Sequence, residues 1–362
     1  MRVTVRDALA RIDWWLLAAV LALSGTGLVL MYSLGSHEDS RFLRQLVFLG
    51  LGLSLLVGFQ FLDSRFWRNA SVVFYALTVA LLAGLVLFGE PTRGARGWIT
   101  FGSIGFQPAE AAKLAVVLAL AATLERLRFD LARASDVAAT LIIAGLPMVL
   151  IVLAPDIGNA FILFAVSAAM VLATGLDKKK LLLLALAAAV SLAIGWFGVL
   201  APYQKERIRT FLSPQSDPLG SGYNVMQSVV AIGSGGFFGR GLGLGTQSQL
   251  NFLPEQETDF IFAAAAEELG FLGASLLLAA YAFLLARLWR IQAAERNPYA
   301  AFVALGVLVM FFVQAVVNIG MNMGLFPVTG VTLPLVSYGG SSLVTSCAAL
   351  GVVLSARTRL SS

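Results

Sequence analysis

Ten stretches of mostly apolar residues, each close to the length of a membrane-spanning helix, dominate this chain of 362 residues. A helix needs about 20 such residues to cross the hydrocarbon core of a bilayer. The stretches cover approximately Trp14–Leu34, Phe42–Leu62, Ala70–Phe88, Ala109–Leu124, Val137–Leu153, Ile157–Leu176, Leu181–Leu200, Phe260–Ala286, Tyr299–Gly320 and Ser342–Leu354. They predict an all-α integral membrane protein with about ten transmembrane helices, forming a single polytopic domain over residues 1–362.

The composition excludes the main alternative classes. Hydrophobic residues make up 59% of the chain and charged residues only 12%, about half the share of a soluble domain. A disulfide scaffold, a zinc site or an iron–sulfur site is not expected, because the chain has one cysteine, Cys347, and one histidine, His37. Alternating apolar and polar strands are absent, which argues against an outer-membrane barrel.

The basic residues predict the orientation of the chain in the membrane. Sixteen of the 25 Lys and Arg residues lie in the two terminal segments and in the connections on the same side, and eight lie on the other side. Because basic residues concentrate in cytoplasmic segments, both termini are predicted to be cytoplasmic. The net charge of +5 is then mainly an orientation signal, and no nucleic-acid partner is expected.

One connection is much longer than the others. It covers residues 201–258, between the seventh and eighth predicted spans, and is predicted to be extracytoplasmic. Long loops in compact structures are usually functional or disordered, and this one is not of low complexity. Near its start, Ile208, Phe211 and Leu212 recur at helical spacing beside basic residues. This pattern predicts a short helix in the membrane interface.

Charged residues near the outer ends of spans are candidates for function, because charges at membrane depth are costly. Pro108 suits the first turn of the fourth helix, with Glu110 and Lys113 on one face. They form either a self-neutralising ion pair or a contact to an anionic substrate, and the sequence does not decide between the two. Asp156 follows Pro155 at a turn, where capping of the next helix is favoured over a role in a cavity.

A glycine-rich run extends from Gly233 to Gly245 and contains Arg240. Nucleotide binding is not indicated, because no GK[ST] follows and no strand–loop–helix context is evident. Backbone amides of such a loop and Arg240 can contact a phosphate. A tight packing loop is the favoured alternative.

Acidic residues approach the outer end of the eighth span. Glu255, Glu257 and Asp259 precede it, and Glu267 with Glu268 lies about two turns deeper. A carboxylate at this boundary can act as a general base. It can also simply cap the helix, through Thr258 or Asp259, and the sequence favours the cap. Glu267 and Glu268 need buried partners, either Arg side chains or backbone groups.

Motifs along nearly the whole chain resemble the SEDS family (shape, elongation, division and sporulation), and most closely its elongation members. They are Gly94-Ala95-Arg96 with Trp98, Gln107-Pro108 with Glu110 and Lys113, Pro155-Asp156, Tyr203-Gln204 with Arg207, Asp217-Pro218, Gly222-Tyr223-Asn224 with Gln227-Ser228, Ala231 to Gly236, Leu253-Pro254-Glu255, Thr258-Asp259-Phe260, Pro327 to Gly330, and Ser337 to Ser342. No single motif suffices, and together they are highly specific.

The resemblance implies a peptidoglycan glycosyltransferase in the bacterial cytoplasmic membrane, with an outward-facing active site, that polymerises lipid II for cell elongation and shape. Its implied partners are lipid II, polyprenyl-diphosphate-linked glycan, the lipid bilayer and a class B penicillin-binding protein. The essential acid of the family falls on Asp259, which we interpret as a general base. The implied substrate-binding residues are Arg96, Glu110, Lys113, Arg207, Arg209, Arg240, Gln227, Ser228 and Ser337.

Some features depart from this expectation or leave it open. Glu257 stands where the family usually has His, which adds a negative charge two residues before Asp259. A divalent cation, Mg²⁺ or Mn²⁺, is compatible with carboxylates near a diphosphate, although no ligand set is evident. A lipid II flippase and a non-catalytic scaffold are the alternative functions. Polar residues gather at the outer ends of the spans rather than near the midplane, which favours chemistry over transport.

Overall fold

The fold is known from a computed structural model. It describes residues 13–35, 41–89, 97–101, 104–128, 130–131, 133–183, 185–186, 195, 202–212, 221–250, 252–253 and 255–356. The helices are α1 (Trp14–Leu34), α2 (Arg41–Phe59), α3 (Ser64–Phe88), α4 (Pro108–Arg126), α5 (Ala134–Leu153), α6 (Ile157–Leu172), α7 (Pro202–Leu212), α8 (Ser221–Ser234), α9 (Thr246–Gln249), α10 (Ile261–Ala294), α11 (Pro298–Asn322) and α12 (Gly340–Ala356). The strands are β1 (Ile99–Phe101) and β2 (Ile104–Phe106).

The helices follow the apolar stretches closely. Among the described residues, α1, α2, α3, α5, α10 and α11 are long and apolar enough to cross a membrane, and α6 and α12 are shorter apolar helices. Helix α4 has sufficient length but carries four charged residues. Most of the predicted stretch Leu181–Leu200 lies outside the described residues. The protein is therefore a mostly helical membrane protein, as predicted.

Helix α4 forms the centre of the helical assembly. Its side chains are buried on nearly all sides, and it packs against α3, α5, α6 and α11. A helix that is apolar all round is typical of a buried position in a large protein. Its first turn, with Pro108 at the start and Glu110 following, is thereby brought to one end of the core.

Helices α2 and α12 pack very closely because each has a glycine at the contact, Gly52 in α2 and Gly351 in α12. A Cβ atom on Gly52 would lie 3.0 Å from the Sγ atom of Cys347. A Cβ atom on Gly351 would lie 2.9 Å from the backbone of Leu56. Small residues at such contacts let membrane helices approach each other. Cys347 is fully buried at this contact.

Helix α10 is interrupted at Gly270, whose φ of 69° and ψ of −169° are not helical. The backbone N–H groups of Phe271 and Leu272 donate instead to the carbonyls of Gly236 and Phe237, at 2.9 and 3.1 Å. The glycine-rich run therefore satisfies the backbone groups that the interruption leaves without helical partners. The eighth predicted span is longer than expected and is not a continuous helix.

Three elements were not predicted, namely the hairpin, α8 and α9. The all-α prediction omitted the antiparallel hairpin of β1 and β2, in which Ile99 pairs with Phe106. Three-residue strands carry too little alternation to be recognised in a sequence. In the long connection, α7 confirms the predicted short helix, whereas α8 and α9 were not expected.

Candidate active site

A cavity of about 1150 Å³ is formed by the ends of several helices, the hairpin and the connecting segments. Its lining comes from the end of α1 and the start of α2, from the hairpin, from the α5–α6 turn, from α7 and α9, and from the segments before α10 and before α12. The lining residues are Leu34, Gly35, Arg41, Phe48, Gly97, Trp98, Gly105, Gln107, Pro155, Asp156, Ile157, Gln204, Arg207, Gln249, Leu253, Glu255, Gln256, Glu257, Thr258, Asp259, Pro327, Val328, Thr329, Gly330, Thr332, Tyr338, Gly339 and Gly340.

Asp259 lines this cavity from a turn that precedes α10. The carbonyl of Glu255 accepts hydrogen bonds from the backbone N–H groups of Thr258 and Asp259, at 3.1 and 3.0 Å. The N-cap residue of α10 is Phe260, and no side chain of that residue caps the helix. The expectation that Thr258 or Asp259 caps α10 is therefore wrong. The hydroxyl of Thr258 donates to the carbonyl of Glu255 instead.

The cap comes from another helix. The Oδ1 atom of Asn322 in α11 accepts the backbone N–H of Ala263 at 3.0 Å. The Nδ2 atom of Asn322 donates to the backbone carbonyl of Asp259 at 2.9 Å, and that of Asn318 donates to the same carbonyl at 3.0 Å. Both asparagines are fully buried. Sequence reasoning missed them, although two polar residues one turn apart in an apolar span were a usable signal.

Arg41 and Arg207 are the basic residues among the described lining residues. The Nη1 atom of Arg41 donates to Oε2 of Glu257 at 2.7 Å, with side-chain exposures of 52% and 9%. The carboxylate of Glu257 thus has a counter-ion, which the sequence did not reveal. Arg207 donates from Nη1 to the carbonyl of Val328 at 3.4 Å.

The cavity therefore combines acids and bases. Four carboxylates line it, those of Asp156, Glu255, Glu257 and Asp259, against the two guanidinium groups. Carboxylates can accept a proton and guanidinium groups can bind phosphate oxygens, so both kinds of contact are offered to one ligand. Among the described residues, no group of three or more His, Cys, Asp or Glu side chains is placed to hold a metal ion.

Glu110 and Lys113 form the ion pair that was one of the two alternatives. The Nζ atom of Lys113 lies 2.7 Å from Oε1 of Glu110 and donates to Oδ1 of Asn159 at 3.0 Å. Both charged side chains are buried and neither lines the cavity. Their charges neutralise each other inside the core, which is how such groups are tolerated at membrane depth.

Asp156 connects this buried pair to the cavity. Its Oδ1 atom accepts the backbone N–H of Asn159 at 3.1 Å, so the predicted cap of α6 is confirmed. Its Oδ2 atom accepts from Nδ2 of Asn159 at 2.8 Å and from Nε2 of Gln107 at 3.2 Å. The same residue also lines the cavity. A polar network thus runs from the cavity wall to Lys113.

The glycine-rich run is a packing loop around α10. The backbone N–H of Arg240 donates to the carbonyl of Glu267 at 2.9 Å, and its Nε atom donates to the carbonyl of Ser234 at 2.8 Å. Gly239 has a φ of 85°, and a Cβ atom there would lie 2.1 Å from the carbonyl oxygen of Glu268. Only glycine fits this approach. Arg240 does not line the cavity.

The partners of Glu267 and Glu268 are mainly backbone N–H groups of the glycine-rich run and of α9, which was one of the two expectations. The carboxylate of Glu267 accepts the backbone N–H groups of Gln247 and Ser248, at 2.8 and 3.0 Å, and thereby caps α9. The Oε1 atom of Glu268 accepts from Oγ of Ser33 at 2.8 Å and from the N–H of Gly243 at 3.1 Å.

The other predicted substrate-binding residues lie outside the cavity lining or outside the described residues. The hydroxyl of Ser337 donates to the carbonyl of Thr258 at 2.6 Å, and that of Ser228 donates to the carbonyl of Asn322 at 2.7 Å. Arg209 pairs with Glu206 at 3.5 Å on the exposed side of α7. Gln227 lies half-buried on α8. Arg96 lies outside the described residues.

Known proteins are similar to this chain in sequence and in architecture. The chain matches the profile of the cell cycle proteins FtsW, RodA and SpoVE over residues 11–362. It is 38% identical over 351 residues to the peptidoglycan glycosyltransferase MrdB of Escherichia coli (strain K12), an alignment covering 96% of this chain and 94% of that protein.

Solved structures agree with this match. The crystal structure of the rod shape determining protein RodA of Thermus thermophilus gives a TM-score of 0.71 at 34% identity, covering 94% of this chain and 95% of that one. A chain from a solved peptidoglycan synthase complex gives 0.79 at 37% identity, covering 95% and 96%. Since the match extends over almost the whole length in sequence and in structure, the chain belongs to the FtsW, RodA and SpoVE family of cell cycle proteins, the SEDS family.

Proposed function

We propose that this protein is a peptidoglycan glycosyltransferase of cell elongation and shape that polymerises lipid II at the outer face of the cytoplasmic membrane. The observation that carries the proposal is the position of Asp259. Its carboxylate lines a cavity of about 1150 Å³ and does not cap α10, because Asn322 performs that task. The names of relatives such as the peptidoglycan glycosyltransferase MrdB support the reaction class.

In the proposed reaction, the sugar 4-hydroxyl of one substrate attacks the anomeric carbon of the other. The bond from that carbon to the diphosphate–polyprenyl group breaks as the new glycosidic bond forms. Asp259 accepts the hydroxyl proton as general base. Arg41 and Arg207 line the same cavity as Asp259 and stabilise the departing diphosphate by charge-assisted hydrogen bonds.

The proposed arrangement around this reaction follows from the sequence. The segment 201–258 is extracytoplasmic, since the bias of basic residues places both termini in the cytoplasm. The cavity is then open to substrate on the outer side. A class B penicillin-binding protein is the proposed partner, and similarity to a chain of a peptidoglycan synthase complex supports such an assembly.

The test is polymerisation of purified lipid II by the full chain together with its partner, read as glycan length on a gel. Asp259→Asn keeps the shape of the side chain and should lower the rate by at least about 100-fold, the usual contribution of a general base. Glu206→Gln is the matched control, because Glu206 is an exposed acid on α7 outside the cavity lining.

The polymerisation assay, combined with a measurement of lipid II movement across vesicle membranes, separates the alternative functions. Normal glycan synthesis by Asp259→Asn would overturn the role of that residue. Movement of lipid II across vesicle membranes by the wild type, without any glycan product, would indicate a flippase. Neither movement nor polymerisation, with partner binding intact, would indicate a scaffold.

A further inference from the structure

The turn that carries Asp259 is held by two amide side chains from one face of α11. Asn318 and Asn322 both donate from Nδ2 to the backbone carbonyl of Asp259, at 3.0 and 2.9 Å. Two donors on one carbonyl oxygen fill both of its lone pairs. The peptide unit at Asp259 is therefore fixed relative to α11, a helix that contributes no residue to the cavity lining.

The same amides also fix the surroundings of this peptide. The Nδ2 atom of Asn318 donates as well to the carbonyl of Val331 at 2.7 Å. Gly330, which precedes Val331, lines the cavity beside Asp259, and a Cβ atom on it would lie 3.8 Å from the Oδ2 atom of Asp259. One amide thus ties the Asp259 turn to the neighbouring stretch of cavity wall at Gly330 and Val331.

Asn322 holds the other side of the turn. Its Oδ1 atom accepts the N–H of Ala263 in the first turn of α10, and its own carbonyl accepts the hydroxyl of Ser228 in α8. A general base must be held close to its productive geometry by groups that are themselves locked in place. Both asparagines meet this condition, since each is fully buried.

We infer that Asn318 and Asn322 are positioning residues for the Asp259 carboxylate, an inference that rests on the proposed function of Asp259 as general base. They touch the backbone of Asp259 and not the cavity, so they act through Asp259. Their loss should slow the chemical step and change substrate binding little, because neither asparagine lines the cavity.

The decisive variant is Asn318→Leu, because leucine has the same branching and the same number of side-chain heavy atoms as asparagine but no polar group. Within the part of the chain that the structure describes, Oδ1 of Asn318 accepts no hydrogen bond, so this change removes only the two donations from Nδ2. A displacement of the base by about 1 Å can cost about 100-fold in rate. We expect kcat for lipid II polymerisation to fall between about 10-fold and that limit, with KM within about twofold.

Gln314→Leu is the matched control. Gln314 lies one turn before Asn318 on the same helix, is equally buried, and its Nε2 atom has no hydrogen-bond partner among the described residues. It is not part of the Asp259 turn, so kcat should remain at the wild-type value. Asn322→Leu should lower kcat like Asn318→Leu and should also lower Tm, because it removes the cap of α10.

The outcomes are distinct. A fall in kcat no larger than that of Gln314→Leu, or a rise in KM at constant kcat, would overturn the inference. If Asn318→Leu yields no folded protein, Asn318→Ser takes its place, because a serine hydroxyl can bond to its own helix and does not reach Asp259. Asp259→Asn in the same assay separates the two ideas. Full activity of Asp259→Asn removes the proposed base, whereas an inactive Asp259→Asn beside a fully active Asn318→Leu removes only the positioning role.

Discussion

The two ends of the first segment of α10 use acidic residues in opposite ways. Before the helix, amides of α11 satisfy backbone groups around Asp259, a residue that lines the cavity. Two turns further on, the carboxylate of Glu267 itself satisfies backbone N–H groups of α9, which follows the glycine-rich run. The two acids therefore differ in what satisfies the neighbouring backbone, which is α11 at Asp259 and the carboxylate itself at Glu267.

The largest expected effect concerns the loop that surrounds Glu267 and Glu268. Gly239→Ala places a Cβ atom 2.1 Å from the carbonyl oxygen of Glu268, at a residue with a φ of 85°. Backbone strain and overpacking each cost about 1–3 kcal/mol, so the variant should lose several kcal/mol of stability. Yield and thermal unfolding in detergent measure this.

Gly233→Ala is the control for that change, because a Cβ atom on Gly233 meets no atom within 4 Å. It lies in α8, where alanine is favoured over glycine by about 0.5–1 kcal/mol. An unfolding temperature of Gly239→Ala equal to that of the wild type would show that the loop does not need its close approach to α10.

The next effect tests whether the Glu267 carboxylate stabilises the protein by accepting backbone N–H groups. Glu267→Gln keeps one oxygen for Gln247 but turns an amide N–H₂ toward Ser248, which leaves a buried donor unsatisfied. The cost should be about 2 kcal/mol, seen as a lower Tm. The kcat of the folded fraction should not change, since Asp259 is held separately by α11.

The adjacent residue supplies the control. Among the described residues, the Oε2 atom of Glu268 accepts no hydrogen bond, so Glu268→Gln can retain every contact of Oε1. Its Tm should remain at or above the wild-type value. Equal losses from the two substitutions would mean that charge, and not the pattern of hydrogen bonds, holds the loop.

A smaller effect is expected at the cavity wall. Arg41→Gln breaks the pair with Glu257, and because Arg41 is half exposed the change in stability should stay below about 1 kcal/mol. The KM for lipid II should rise several-fold if Arg41 contacts the diphosphate. The exchange Arg41→Glu with Glu257→Arg restores the pair but moves the cation, so recovery of Tm without recovery of KM is expected.

The smallest effect concerns an exposed carboxylate with the same task as Glu267. The backbone N–H of Lys180 donates to Asp177 at 2.9 Å and lowers the pKa of that carboxyl. A lowered pKa in the folded state contributes stability at neutral pH, and this contribution is lost as the pH falls through the lowered pKa. Asp177→Asn should therefore lower Tm only slightly at neutral pH and not at all in acid. A large decrease in Tm would contradict the interpretation that a carboxylate bound to backbone N–H groups adds much stability only when it is buried, as Glu267 is.

The sequence predicted those features that depend on composition and spacing. Apolar stretches of sufficient length predicted the helices, and Pro155-Asp156 predicted the cap of α6. The spacing of Glu110 and Lys113 offered their ion pair as one of two alternatives. Each of these is a local property of the chain. Local patterns remain valid in the folded protein when nothing distant competes with them.

The remaining features depend on contacts between distant residues. The cap of α10 comes from Asn322, which is 59 residues away from Ala263, and the counter-ion of Glu257 comes from Arg41, 216 residues away. The sequence favoured a local cap because it contains no information on which helix lies beside that turn. The interruption at Gly270 escaped notice for the same reason, since the loop that stabilises it is distant in sequence.

The close packing of α2 against α12 makes the chain ready for site-directed thiol labelling. Cys347 is the only cysteine and is fully shielded at that contact, so a membrane-impermeant maleimide has no native target. A cysteine introduced as Glu206→Cys on α7 would then report on its own side of the membrane, with Asp177→Cys as the counterpart. Labelling of the first from outside intact cells, and of the second only after lysis, would establish the orientation without first replacing the native cysteine.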